Sequence, residues 1–201
     1  MRKAGAGMAI EYELKFKATP QTQAAIRQAV SGDEVFYKMQ TTYYDTPSGA
    51  LSQRRYTLRR RMENAVSVCT LKAPAQGHGR GEWEVCCQDI VQAIPMLCDL
   101  GAPGDLEELT SEGVVEVCGA RFSRIAKTIT LPEGVLELAL DEGVLTGGGR
   151  ELPLCEVEVE LKSGDTALAN QYAGQLAKKF GLVPEKGSKF RRALALSKGE
   201  I

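Results

Sequence analysis

Charged residues of one parity recur in separate stretches of this chain: Glu11, Glu13 and Lys15; Arg59 and Arg61; Glu82 and Glu84; Glu137 and Asp141; Glu156, Glu158, Glu160 and Lys162. Successive side chains of an extended strand point to opposite faces, so each stretch puts its charges on one face. Carboxylates gathered on a common surface repel one another and take up protons unless cations neutralise them. Hard divalent ions with oxygen ligands do this, and Mg²⁺ commonly takes one or two carboxylates together with substrate phosphates. The arginines and lysines of the same faces need anions, and a guanidinium fork matches phosphate oxygens while lysine supplies a point charge. A linear polyphosphate, bridged to glutamates by metal and gripped by arginine and lysine, satisfies both signs.

The opposite faces carry Tyr12, Leu14, Trp83, Val85, Leu136, Leu138, Leu140, Val157, Val159 and Leu161, and they must be buried under something. Alternation predicts strands over 10–17, 41–45, 56–62, 65–72, 82–87, 120–131, 134–145 and 152–162. The turn-rich TPSG at 46–49 joins the second to the third, Asp45 fixing that turn through its own backbone, and the GHGRG loop at 77–81 precedes the fifth. Helices are predicted over 20–30, opened by Pro20, over 89–100 with a kink or shortening at Pro95, near 105–116, and over 165–180. The last is the clearest, with Leu168, Tyr172, Leu176 and Phe180 on one stripe and Gly181 behind it.

Hairpin-length connections imply an antiparallel sheet, and about eight strands are enough to close it. The fold expected is therefore α+β: a closed eight-stranded antiparallel β-barrel with helices packed on the outside, apolar strand faces under the helices and charged faces lining a water-filled interior. The competing arrangement leaves each charged face simply solvated. Its weakness is the repetition over so many strands. A chain of 201 residues suits one domain, 1–201, with a core from about 9 to 196.

These residues also carry a family resemblance. Glu11-Tyr12-Glu13-Leu14-Lys15 resembles the ExExK signature of the CYTH superfamily, the triphosphate tunnel metalloenzymes. In family order follow TYYDTP at 42–47, LRRR at 58–61, TLK at 70–72, GEWEV at 81–85, LELALDEG at 136–143, EVEVELK at 156–162 and GSKFRRAL at 187–194. The resemblance implies an eight-stranded tunnel and hydrolysis of tripolyphosphate with Mg²⁺ or Mn²⁺. Bacterial inorganic triphosphatases are the most similar, some of which carry a second, helical domain that is not among these residues. It further implies that Glu11, Glu13, Asp141, Glu156 and Glu158 hold metal, and that Lys15, Arg59, Arg61, Arg124 and Lys189 bind phosphate. Lys72 corresponds to a lysine that positions or deprotonates the attacking water. Alternation does not choose among Glu156, Glu158 and Glu160, nor separate Arg124 from nearby Arg121 and Lys127 as the phosphate ligand. Thiamine triphosphatases, nucleotide and RNA triphosphatases and one class of adenylyl cyclase share the fold, so fold alone does not decide the substrate, and a non-catalytic polyphosphate-binding module is the alternative of another class.

Composition sets the remaining expectations. A net charge of −1 with 43% apolar and 25% charged residues gives no general attraction to nucleic acid or anionic membranes. No apolar run approaches the roughly 20 residues of a membrane span, and the opening decapeptide lacks a signal-peptide core; a cytoplasmic protein is expected. Cys69, Cys86, Cys87, Cys98, Cys118 and Cys155 form no metal-binding spacing and read as free thiols. Glu82 and Glu84 are expected to pair with interior cations, Trp83 to pack under a helix, Tyr43 and Tyr44 to serve strand packing or stand near Lys72, and His78 to lie in a loop without a catalytic role.

Overall fold

The structure, a computed structural model, describes residues 9–75 and 80–201; His78 and most of the loop before Arg80 lie outside them. In chain order the elements are β1 (Ala9–Glu11), β2 (Glu13–Lys17), α1 (Pro20–Ala29), β3 (Glu34–Asp45), α2 (Ala50–Gln53), β4 (Thr57–Glu63), β5 (Val66–Pro74), β6 (Arg80–Cys86), α3 (Ile90–Asp99), α4 (Leu106–Leu109), β7 (Val115–Leu131), β8 (Gly134–Gly147), β9 (Arg150–Ser163), α5 (Thr166–Phe180), β10 (Val183–Pro184) and α6 (Lys189–Lys198). All strands pair antiparallel in one sheet of order β1-β6-β5-β4-β3-β7-β8-β9-β2-β10.

The expectation of a closed eight-stranded barrel is corrected on both points. The sheet has ten strands, and no ladder joins its end strands β1 and β10 among the described residues. Two local events raise the count. The predicted strand 10–17 breaks at Tyr12: its first part pairs with β6 and its second with β9. Val183–Pro184 then adds a short strand beside β2. The break leaves parity intact, so Glu11 and Glu13 still share a face while the chain passes from one side of the sheet to the other.

Helix ends follow local chemistry. Thr19 caps α1 by accepting from Thr22 N, with Pro20 in the first turn where its missing N–H is harmless. Asp89 and Asp165 cap α3 and α5 in the same way, and Gly181 closes α5 in the left-handed region. Pro95 lies inside α3, which runs on unbroken from Ile90 to Asp99. The helix expected near 105–116 is the single turn α4, because Gly113 at φ +90° diverts the chain into β7. Around the TPSG turn, Asp45 accepts from Thr46 N, Leu51 N and Ser52 N, tying the turn to α2.

Three apolar clusters show which way the faces point. Leu58, Leu71, Trp83 and Val85 of β4 to β6 pack against Ile90, Ile94 and Leu97 of α3 and Leu106 of α4. Phe16, Leu136, Leu138, Leu140, Val157 and Val159 pack against Ile26 of α1 and Ala169, Ala173 and Leu176 of α5. Each fully buried Leu or Ile here contributes roughly 1.5–3 kcal/mol. Both clusters use the faces opposite the charges, as alternation implied. The third lies on the charge-bearing side: Met39, Tyr43, Ala120, Phe122, Leu145 and Leu154 meet Phe190 and Ala193 of α6. A Cβ on Gly147 would stand 2.5 Å from the Ala193 carbonyl oxygen, so this glycine lets the α6 backbone rest on β8. The inward surface is thus polar over one part of its length and apolar over the other, where α6 fills it.

Candidate active site

The polar part encloses a cavity of about 410 Å³. Glu11, Glu13, Lys15, Arg59, Arg61, Lys72, Arg80, Glu82, Glu84, Arg124, Glu158, Glu160, Lys162 and Lys189 line it, together with Thr57, Ser188, Tyr43 and Phe190. Eight of these are cationic and six are carboxylates, so the walls favour an anion. Register sets the rows: Glu13 faces Glu160, which also faces Glu137; Lys15 faces Glu158; Lys72 faces Glu82.

Most expected site residues therefore meet in one place. Asp141 and Glu156 are the exceptions. They lie behind the lining at 0% and 1% exposure, whereas Glu160, which alternation ranked no higher than its neighbours, stands on the cavity. Of the three basic residues around 121–127, Arg124 is the inward one. Arg121 pairs with exposed Glu151, and Lys127 donates to the carbonyls of Arg27 and Val30 at the end of α1.

The inner carboxylates form a closed ionic cluster. Oxygens of Asp141, Glu156 and Glu158 lie within 4.8 Å of one another, a spacing suited to a metal ion. In the structure the Lys189 ammonium stands among them, 2.8, 2.7 and 2.6 Å from Asp141, Glu156 and Glu158. Arg124 donates two bonds of 2.7 Å to Asp141 and one of 2.5 Å to Glu158, and Arg192 bonds Glu156. Three cations thus match three carboxylates. Burial opposes the Lys189 charge, but Asp141, Glu158 and Glu156 outweigh it and hold its pKa well above the usual lysine value. Burial likewise opposes the Glu158 charge, yet Lys189, Arg124 and Lys15 hold its carboxyl well below the usual range.

Among the described residues, the carboxylates nearer the mouth are each held by one lysine. Lys72 Nζ lies 2.5 Å from both Glu11 oxygens and 3.4 Å from Glu82. Lys15 donates to Glu13 at 2.7 Å, and Lys162 pairs with Glu160 at 2.7 Å and Glu137 at 3.8 Å. Burial, reinforced by Glu137 and Glu11 against the pull of Lys162, pushes the Glu160 carboxyl up. These hard oxygen donors, crowded on one wall, fit a divalent cation such as Mg²⁺ or Mn²⁺. The inner cluster already has its counter-ions.

The arginines show the converse need. Arg59 stands 3.5 Å from Glu82 and 3.7 Å from Glu84, the pairing expected of those glutamates, but its buried Nε has no partner among the described residues. Arg61 donates to Thr41 at 2.9 Å, and burial with Arg59 and Arg124 nearby pushes its pKa down to about 10. Arg61, Arg124 and Lys189 also surround the Phe122 ring, at 5.7, 5.9 and 5.4 Å from its centroid. Phe122, Arg80 and Arg192 escaped the sequence reasoning. Phe122 and Arg124 share strand parity, a signal that could have found the first; Arg192 sits within the GSKFRRAL motif without a pattern to single it out.

The chain is 28% identical over 163 residues to the inorganic triphosphatase of Haemophilus influenzae, an alignment taking in 77% of this chain and 46% of that protein. It thus spans about half the length of the curated relative it matches. Among solved structures, the PH1819 protein of Pyrococcus horikoshii superposes with a TM-score of 0.64 at 22% identity, over 94% of this chain and 99% of that one. HpAC1 of Hippeastrum, a candidate adenylyl cyclase with a dominant triphosphatase activity, superposes with a TM-score of 0.62 at 22% identity, over 95% and 96% of the two chains. At these identities the structures establish a shared fold. The CYTH domain model matches residues 9–194, the span that carries the whole charged cavity and the helices around it, and the chain belongs to the CYTH domain family.

Proposed function

We propose that this protein hydrolyses inorganic triphosphate to pyrophosphate and phosphate, with Mg²⁺ or Mn²⁺ bound among the carboxylates near the mouth. The observation that carries this is the cavity's charge: among the described residues, eight cations against six carboxylates in about 410 Å³, with no partner there for the Arg59 Nε. Lys15, Arg59, Arg61, Arg124 and Lys189 hold the phosphates. Glu11, Glu13 and Glu160 would hold the metal, and Asp141, Glu156 and Glu158 anchor Lys189 and Arg124 in place of the ligand role that the family resemblance implies for them. A divalent ion held there would supply Lewis-acid neutralisation of phosphate charge and a water of lowered pKa.

Lys72, held beside Glu11 and Glu82, orients the attacking water toward the terminal phosphorus. As that water adds, the bridging P–O bond breaks and pyrophosphate leaves with the charge that Arg59, Arg61 and Lys15 spread over their donors. The chain acts as a single domain, and its six free cysteines suit a reducing, cytoplasmic setting. No helix among the described residues is long and apolar enough to cross a membrane.

An adenylyl cyclase would need to hold a purine. The aromatic residues among the described lining are Tyr43 and Phe190, and both rings pack into the apolar cluster at α6, 5.1 Å apart. The deciding assay measures phosphate release from tripolyphosphate, ATP and thiamine triphosphate with Mg²⁺ or Mn²⁺, following cyclic AMP in parallel. Tripolyphosphate should be the best substrate. Cyclic AMP from ATP with tripolyphosphate untouched makes the protein a cyclase, and tight tripolyphosphate binding without phosphate release makes it a binding module.

A further inference from the structure

Helix α1 lies on the outer face of the sheet, across the strands from the cavity. Its Ile26, wholly buried, packs in the outer apolar cluster with Phe16, Leu138 and Val157. The other buried residue of this helix is Gln23, at 7% exposure. An amide is costly to bury unless its donors are used, and both are: Gln23 Nε2 donates to the Asp141 carbonyl oxygen at 2.9 Å and the Glu156 carbonyl oxygen at 2.8 Å.

Asp141 and Glu156 are direct cross-strand partners in the β8–β9 ladder. Their side chains, on the other face of the sheet, are the least exposed carboxylates among the described residues, and both grip Lys189. One NH₂ group thus ties together, from outside, the two backbone positions whose carboxylates hold the cavity lysine from inside. Helix α1 is itself fixed to the sheet, because Lys127 of β7 donates to the Arg27 and Val30 carbonyls at its C-terminal end. A site group has to be held within about 0.5 Å of its working position, and ion pairs of 2.6–2.8 Å leave little room for the strands to slide.

We infer that Gln23 is a positioning residue of the triphosphate site: its amide, bonded across β8 and β9, sets the spacing of the Asp141 and Glu156 carboxylates and so the placement of Lys189. This role depends on the cavity being the triphosphate site proposed above. Gln23→Met keeps the length and most of the volume while removing both donors, and Gln23→Lys restores a donor at that depth. In Gln23→Met the KM for tripolyphosphate should rise about tenfold, with kcat changed by less than about threefold, and Gln23→Lys should recover part of the loss. Ile26→Val weakens the same helix without touching the carbonyls and should leave KM at the wild-type value.

A second measurement does not depend on turnover. The Lys189 ammonium protons, followed by NMR on ¹⁵N-lysine protein, should exchange slowly in the wild type and faster in Gln23→Met. If Gln23→Met is folded with both KM and Lys189 exchange unchanged, Gln23 merely fills space and the positioning role is lost. Should that variant not fold, Gln23→Asn, which keeps the amide but falls one methylene short, is put to the same two measurements with the same consequences. A wild type that neither binds nor cleaves tripolyphosphate overturns the proposed function, whereas Lys189 exchange still decides whether Gln23 holds the cluster.

Discussion

In and behind the cavity wall stand two acidic groups that the sequence presents alike and the fold treats differently. Asp141, Glu156 and Glu158 sit deep, share Lys189, and are matched by Arg124 and Arg192. Glu11, Glu13 and Glu160 stand toward the mouth, each held by one lysine among the described residues, with the Glu160 carboxyl pushed up by burial. An ion cluster with full internal pairing stabilises its own geometry, and losing one member strands the rest in a poor dielectric. A sparsely paired group can exchange its lysines for another cation at little cost. With the metal at the mouth, as proposed, spacing alone does not tell the two groups apart, and the count of protein cations around each carboxylate does.

The largest expected effect lies in the inner group. Lys189→Met leaves three buried carboxylates with two arginines, and breaking such a pairing costs about 3–5 kcal/mol. Urea unfolding should show this loss, and millimolar Mn²⁺ should restore part of it by taking the vacated position. Unchanged stability in Lys189→Met would show that the inner cluster is no more tightly coupled than the rim, and the contrast would collapse.

The rim should behave in the opposite way. Glu13 is partly exposed and, among the described residues, paired with Lys15, so Glu13→Gln should shift stability by no more than about 1 kcal/mol while hydrolysis of tripolyphosphate falls by about a hundredfold or more. Paired Mg²⁺ titrations of Glu13→Gln and Asp141→Asn sharpen the assignment: weakened metal binding is expected in the first, and a loss of stability greater than any loss of metal affinity in the second. The reverse pattern would make Asp141 the ligand and Glu13 a structural partner.

Much of this arrangement was legible because period-two alternation is a strong signal wherever one face is buried. Charges on β2, β4, β6 and β9 opposite leucines and valines gave the inward face, and the outer clusters under α1, α3 and α5 follow from it. The Tyr12 break was invisible, since a change of pairing partner does not alter parity, and so the closed eight-stranded barrel was the natural expectation. The first part of β3 was missed because residues 34–36 and 38 are exposed whichever way they point. Helix α6 buries Lys189 beside Phe190, Ala193 and Leu196, and a helix that buries a lysine has no clean apolar stripe. Alternation did not separate Arg124 from Arg121 and Lys127, because nothing in the strand's own sequence fixed which parity faced inward; its register against Asp141 does. Gln23 had no signal at all, as one glutamine on a short helix looks like solvent-facing polarity.

The smallest expected effect is on pH dependence, and it has opposite signs in the two groups. The Glu158 carboxyl is held below its unfolded value, so its contribution to stability is fully present above that value, near pH 4.3, and is lost as pH falls through the folded value. The Glu160 carboxyl is raised, so its contribution is fully present below the unfolded value and is lost as pH rises through the folded one. Replacing each by glutamine should therefore change the acid limb of the stability curve in opposite directions, flattening it for Glu158→Gln and steepening it for Glu160→Gln, as read by urea midpoints from about pH 3 to pH 7. Mg²⁺ should reverse the Glu160 term alone, because binding to a carboxylate that would otherwise hold a proton releases that proton and draws the group back to its charged form. Equal responses of the two limbs to Mg²⁺ would place metal in both clusters.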